Sequence, residues 1–219
     1  MFRRFALVPA AIVLTATVFT ASVTLAVGAF ERTPASYFFP SPADVNATCH
    51  RGYQAANLTS RAFSSLFEDY YAALGDYSTD VAVKIQSTLG AVFSVCRSDA
   101  LSLKPESASP TSDVFMVIIK GVVDTPTEAS DWAAALVAVN AKGKEIARAF
   151  PAESQRGLPL NWKADCTGAQ CVFRGSNYYY FEHLVGTDFG KAVQAGAKVT
   201  VLAQRGYGIE TFDIPGNLK

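Results

Sequence analysis

The sequence predicts an α+β protein: an apolar N-terminal helix, then a disulfide-stapled helical hairpin, then a mostly antiparallel β-sandwich. Three observations predict it. Charged residues are absent from Phe5 to Phe30, two consecutive stretches carry apolar residues at helical spacing, and short β-branched or aromatic runs separated by turn residues fill the C-terminal half. Half of the 219 residues are apolar and 17% are charged, which suits a folded core and not a disordered chain.

The opening segment sets the expected compartment. Met1 to Arg4 supply a short positive start, and the uncharged run that follows ends at Glu31 and Arg32. Such a pattern directs insertion into a membrane with the positive end kept inside, so the rest of the chain is expected across the membrane. At about 1.5 Å per residue the run could span a bilayer core of about 30 Å. Small residues at Val27 and Ala29, or at Thr24 and Ala26, offer signal-peptide cleavage sites instead. Residues 1–29 therefore read as a signal peptide or a membrane anchor, and residues 30–48 as a linker. The Arg3-Arg4 pair is at most a fragment of a twin-arginine signal.

Four cysteines follow, Cys49, Cys96, Cys166 and Cys171, an even number that fits two disulfides in an oxidising compartment. Cys166 and Cys171 bracket Thr-Gly-Ala-Gln between extended segments, so a bridge across a hairpin is the simplest pairing. Cys49 and Cys96 remain for each other. From Tyr53 onward, Phe63, Leu66, Phe67, Tyr70, Tyr71 and Leu74 recur at spacings of three and four, with Gly75 as a stop. Ser78 or Thr79 then reads as an N-cap for a second stripe of Val81, Ile85, Leu89, Val92, Phe93 and Cys96. Antiparallel packing of these two helices over residues 49–102 would bring Cys49 beside Cys96. Closing that loop of roughly 46 residues stabilises by about 3 to 4 kcal/mol in the chain-entropy model. No paired CxxC spacing supports a zinc site, and Cys49-His50 lacks the second cysteine of a haem attachment motif.

A polar, proline-broken stretch between Leu103 and Asp113 reads as the joint to a β-sandwich-like domain over residues 113–219. Val114 to Val123 suits a strand buried on both faces. Ala133 to Asn140 and Glu145 to Phe150 flank a glycine-containing connection, Cys171 to Phe181 is aromatic and extended, and Lys198 to Gln204 pairs with Tyr207 to Ile214 across Arg205-Gly206. A short helix is expected from Asp188 to Gln194, ended by Gly196.

Motifs for known chemistry are few. GxSxG, HExxH and GxxxxGK[ST] are all absent from the sequence. Removing the leader arginines leaves 17 basic against 19 acidic side chains, a formal charge of −2, so no basic footprint for nucleic acid is expected. His50 and His183 are the two histidines, and strand alternation after Tyr179 would point His183 inward as a partly buried structural residue, away from Glu182. Asn46 and Asn57 satisfy the glycosylation triplet, a signal of low specificity.

Aromatics cluster at Tyr37, Phe38 and Phe39 and again from Tyr178 to Phe181. At a surface such side chains favour partners, sugars or a membrane interface, so Tyr37, Phe38, Phe39, Tyr178 and Tyr180 are the candidate binding surface. The reading that follows is an exported, non-enzymatic accessory, assembly or binding subunit on the outer side of a membrane, in contact with the membrane through its N-terminal segment and with a protein partner of an envelope or membrane complex. No cofactor and no nucleic acid is expected. A cell-wall or carbohydrate-binding envelope protein is the alternative. A glycosidase-like hydrolase using carboxylates among Asp124, Asp131, Glu182 and Asp188 is a further one, since paired carboxylates about 5 to 9 Å apart can cleave a glycosidic bond.

Overall fold

The computed structural model describes residues 34–74, 82–106, 113–125, 127–156, 161–206 and 208–215. The apolar leader, Gly75, Ser78, Thr79 and Val81 lie outside the described residues. The described elements all belong to one compact unit within Glu31–Lys219.

In order, the elements are α1 (Pro34–Phe38), α2 (Pro42–Gln54), a short 3-10 turn (Ala55–Asn57), α3 (Ser60–Glu68), β1 (Tyr71–Leu74), β2 (Ala82–Gln86), α4 (Thr88–Leu101) and β3 (Phe115–Val123). A 3-10 turn (Glu128–Asp131), β4 (Ala133–Val139), β5 (Glu145–Ala149), β6 (Glu153–Gln155), β7 (Trp162–Thr167), β8 (Gln170–Phe181), α5 (Asp188–Gln194), β9 (Lys198–Arg205) and β10 (Gly208–Asp213) follow. The strands make two antiparallel sheets. The larger runs β1-β2-β3-β8-β6 with β7 also on β8, and the smaller runs β10-β9-β4-β5. Mixed helix and antiparallel sheet, the coarse expectation, is what the chain forms.

One hydrophobic cluster takes residues from both sheets: Ile85, Val117, Ile119 and Phe181 from the larger, and Leu136, Ala138 and Val201 from the smaller. Strand alternation explains the set, because every second residue of β3, β8, β4 and β9 shares one face. Inside this core Asn177 accepts a hydrogen bond from Trp162 Nε1 at 3.0 Å and donates to the Ala129 carbonyl at 2.6 Å. The Tyr179 hydroxyl donates to the Trp132 carbonyl at 2.8 Å. A buried amide and phenol survive here because each finds a partner.

The helical hairpin is corrected by the structure. The first predicted helix breaks into the end of α2, a 3-10 turn, α3 and strand β1, while the second becomes strand β2 followed by α4. Val83 and Ile85 alternate into the core, and β2 pairs with β3 from Ala82↔Lys120 to Gln86↔Met116. A neighbouring strand with open hydrogen-bonding groups outweighs the four-residue spacing of Val81, Ile85 and Leu89. The cap that starts α4 is Ser87, whose hydroxyl accepts from Gly90 N at 3.3 Å. Because β2–β3 pairing crosses the polar stretch after Leu103, that stretch does not separate a helical part from a β part.

The linker is corrected as well. Residues 34–38 and 42–54 are helical, Ser41 caps α2 by accepting from Asp44 N at 3.2 Å, and Tyr37 and Phe38 are core residues only 1% and 3% exposed. Phe38 lies 4.3 Å, centroid to centroid, from Phe115 and 5.6 Å from Phe189.

Both disulfides pair as expected. Cys49–Cys96 joins α2 to α4, and a side chain at Gly52 would come within 2.5 Å of the Phe93 carbonyl oxygen, so that glycine permits the close helix approach which aligns the two cysteines. The residues are 47 apart, and the chain-entropy model assigns such a loop about 4 kcal/mol. Cys166–Cys171 spans the directly opposed pair of the β7–β8 hairpin, whose turn uses Gly168 at φ +64°. The remaining strand expectations agree with β3, β4, β5, β8, β9 and β10 to within a few residues, and α5 occupies Asp188–Gln194 as expected.

Candidate functional site

The outer face of the larger sheet carries an open groove of about 630 Å3. Its floor comes from β2, β3 and β8, where alternation turns Lys84, Met116, Ile118, Lys120, Ser176 and Tyr178 away from the core. Ile118 stands directly opposite Lys84 on one side and Tyr178 on the other. Strand β1 adds Tyr71 and Ala73, and α3 forms the facing wall with Ser64, Phe67 and Glu68.

α3 buries no residue fully, so its place depends on aromatic contacts. Phe67 lies 4.5 Å from Tyr71, Phe63 lies 5.1 Å from Phe67, and the Arg97 guanidinium sits 3.8 Å above the Phe63 ring. Offset ring pairs and a cation over a ring each contribute about 0.5 to 1.5 kcal/mol, enough to hold a short amphipathic helix against the sheet edge. On the other flank of α3 a second hollow of about 470 Å3 is lined by Leu58, Leu66, Tyr70 and Phe93.

Electrostatics distinguishes the tyrosines of this face. Burial, followed by the neighbouring Tyr178 and Tyr180 hydroxyls, raises the Tyr71 phenol far above its ordinary value. Tyr180 is raised by burial and then by Glu153, its cross-strand neighbour. These phenols stay neutral hydrogen-bonding groups across the physiological range. Groove chemistry thus consists of an apolar, aromatic floor, hydroxyls at Ser64, Ser176 and Tyr178, ammonium groups at Lys84 and Lys120, and the Glu68 carboxylate on the α3 wall.

The structure separates the expected surface aromatics into two groups. Tyr178 lines the groove and Tyr180 stands one row further along the same face, both half-buried. Tyr37 and Phe38 are not surface residues, and Phe39, half-buried, packs against the same core. The surface role expected of Tyr37 and Phe38 is therefore corrected to a core anchor, because α1 lays the Phe38 ring over Phe115 and Phe189.

The histidines stand elsewhere. His50 meets Glu106 at 3.1 Å on the exposed side of α2. β8 ends at Phe181, and His183 takes a positive φ of 54°, with its side chain 82% exposed and 2.9 Å from Asp113. The expected partly buried position fails because the strand stops before the alternation reaches it. Among the candidate carboxylates, Asp124 follows the end of β3 that pairs with Phe173, whereas Glu182 follows Phe181 at the opposite end of the same pair. Nine residues at about 3.3 Å each keep these two roughly 30 Å apart, far beyond the spacing of a glycosidase pair. Asp131 sits in the 3-10 turn before β4, and Asp188 is exposed with Lys191 at 3.7 Å. Asn46 and Asn57 are both exposed. Among the described residues no cluster of three or more His, Cys, Asp or Glu could hold a metal ion, and no helix is long and apolar enough to cross a membrane.

Sequence reading missed Lys84, Lys120, Met116, Ile118 and Phe67 as site residues. One signal was available: a lysine inside a β-branched run, at Lys84 and again at Lys120, marks the strand face that is open to solvent. Comparisons with protein families, with curated proteins and with solved structures find no match to this chain.

Proposed function

We propose that the chain is an exported, non-enzymatic binding protein that acts on the outer side of a membrane through the groove between α3 and the larger sheet. The observation that carries this reading is the groove itself, whose volume of about 630 Å3 and apolar floor with a few polar groups at its rim have the character of a small-ligand or short-chain binding site. Two disulfides support an oxidising compartment, and the uncharged segment from Phe5 to Phe30 supports export and a membrane contact.

A protein partner is favoured by a different observation. On the outer face of the smaller sheet Phe150 and Ile209 are 69% and 67% exposed beside a shallow hollow of about 120 Å3, and exposed large apolar side chains grouped on one face suit an accessory subunit's contact with a partner.

Titration calorimetry of the intact protein against oligosaccharides, short peptides and lipid micelles tests the groove. The expected result is one class that binds and whose affinity falls at least tenfold in Tyr178→Ala, with the melting temperature little changed. Binding that is indifferent to Tyr178→Ala would place function elsewhere, with Phe150→Ser and Ile209→Ser as the variants that then test the smaller sheet.

A further inference from the structure

Although acidic residues outnumber basic ones beyond the leader, the outer face of the larger sheet carries basic residues in a line. Ala82 stands opposite Lys120, so Lys84, two residues along β2, is the diagonal neighbour of Lys120 on the same face. Ser176 stands opposite Lys120 from β8, so Arg174 is its diagonal neighbour on the other side, and Lys163 on β7 is directly opposite Arg174. Each diagonal step advances in the same direction. Lys84, Lys120, Arg174 and Lys163 therefore form a stripe roughly 20 Å long across four strands, by strand spacing and diagonal distances. Arg174 is ion-paired, to Asp165 at 2.8 Å, and Lys84 has an interaction of its own, so Lys120 and Lys163 are the two exposed ammonium groups that the stripe offers a ligand. Lys163 and Arg174 stand directly opposite one another, and Asp165 balances one of the two charges.

The stripe begins in the groove and leaves it past Ser176, so one extended ligand can touch both. The aromatic and apolar floor beside Lys84 and Lys120 offers flat faces for stacking, while the hydroxyls of Ser64, Ser176 and Tyr178 offer donors and acceptors to a hydroxyl-rich molecule. A wall made by α3 gives the site a concave form that a flat membrane surface does not fill. On the binding-protein reading above, we propose that groove and stripe together bind an acidic oligosaccharide, a chain of sugar rings bearing carboxylates. One ring packs against Tyr178, and carboxylates further along the chain pair with Lys120 and Lys163.

The test uses the intact protein with four probes: oligogalacturonate, the matching neutral oligogalactose, poly-glutamate, and vesicles of phosphatidylglycerol. Oligogalacturonate is expected to bind at least tenfold more tightly than the neutral chain, more weakly as salt rises, and about tenfold more weakly in Lys120→Gln and in Lys163→Gln, two exposed positions where folding is unaffected. Tyr178→Ala should weaken it as well. Equal binding of both sugars with loss only in Tyr178→Ala would overturn the acidic-ligand inference and leave the groove reading standing. Equal or tighter binding of poly-glutamate or of the vesicles would overturn the sugar class. Sugar binding untouched by Tyr178→Ala, or binding of none of the four probes, would overturn the inference, and the former would remove the groove reading with it.

Discussion

Strand β8 has two faces with opposite tasks, although three consecutive tyrosines run through it. On the inner face Tyr179 is buried, its hydroxyl committed to the Trp132 carbonyl, and Asn177 beside it bridges Trp162 and the Ala129 carbonyl. On the outer face Tyr178 and Tyr180 are half-buried, and Ser176 and Arg174 continue the same surface. The difference shows that residue type does not decide the role of a tyrosine here. A phenol removed from water must find a fixed partner or lose a hydrogen bond, so the inner tyrosine is bound into the core. A phenol at the edge of a groove keeps its capacity for a ligand.

Substitution separates the two faces most strongly at the centre. Tyr179→Ala is expected to destabilise by about 3 to 5 kcal/mol, because it opens a cavity and leaves Asn177 without one of its neighbours. Urea unfolding of the intact protein measures this, and a loss below about 1 kcal/mol would break the distinction between the faces.

Alkaline pH offers a second contrast. Burial pushes the Tyr179 hydroxyl up to about 12, while an unfolded tyrosine ionises near 10. The unfolded chain therefore gives up its proton first, so the stabilisation is complete below pH 10 and is lost as the pH rises through 12, by roughly 3 kcal/mol. Tyr179→Phe should show a shallower loss of stability between pH 9 and 11.5 than the parent chain. Identical slopes would mean that this phenol is not held neutral by the core.

The smallest stability effect is expected outside. Tyr178→Ala should cost less than about 1 kcal/mol, since a half-buried side chain facing a groove leaves no enclosed cavity. A cost similar to that of Tyr179→Ala, measured in the same urea series, would make the groove floor part of the core.

Much of this arrangement was legible in the residues. The β-branched run at Val114 to Val123, the turn glycines and the Thr187-capped helix from Asp188 each act through near neighbours, and each lies where local chemistry places it. The Cys49–Cys96 pairing was reached by elimination, and its geometric support was a helical hairpin whose two stripes are partly strand in the structure. α2 and α4 bring the cysteines together instead, by the close approach at Gly52. Between Tyr53 and Gln86 the aromatic and aliphatic spacing fits a helix as well as it fits a strand, so local pattern leaves two answers. The open edge of β3 chooses β2, and β2 in turn chooses β1. At the site, Tyr178 and Tyr180 were visible as surface aromatics, but the same reasoning placed Tyr37 and Phe38 there too. Density of aromatic residues reports that rings will be packed, not what they will be packed against.

By itself the sequence determined the class of fold, the two disulfides and the alternation that turns Tyr179 inward and Tyr178 outward, because each depends on spacing along the chain or on the count of its cysteines. Only the tertiary structure decided that α1 is part of the core, that the segment after Tyr70 is sheet, and that Lys84, Lys120, Arg174 and Lys163 align across four strands. Those outcomes depend on strand register and on which surface remains uncovered once the core is full, and register is set by pairing between segments distant in the chain.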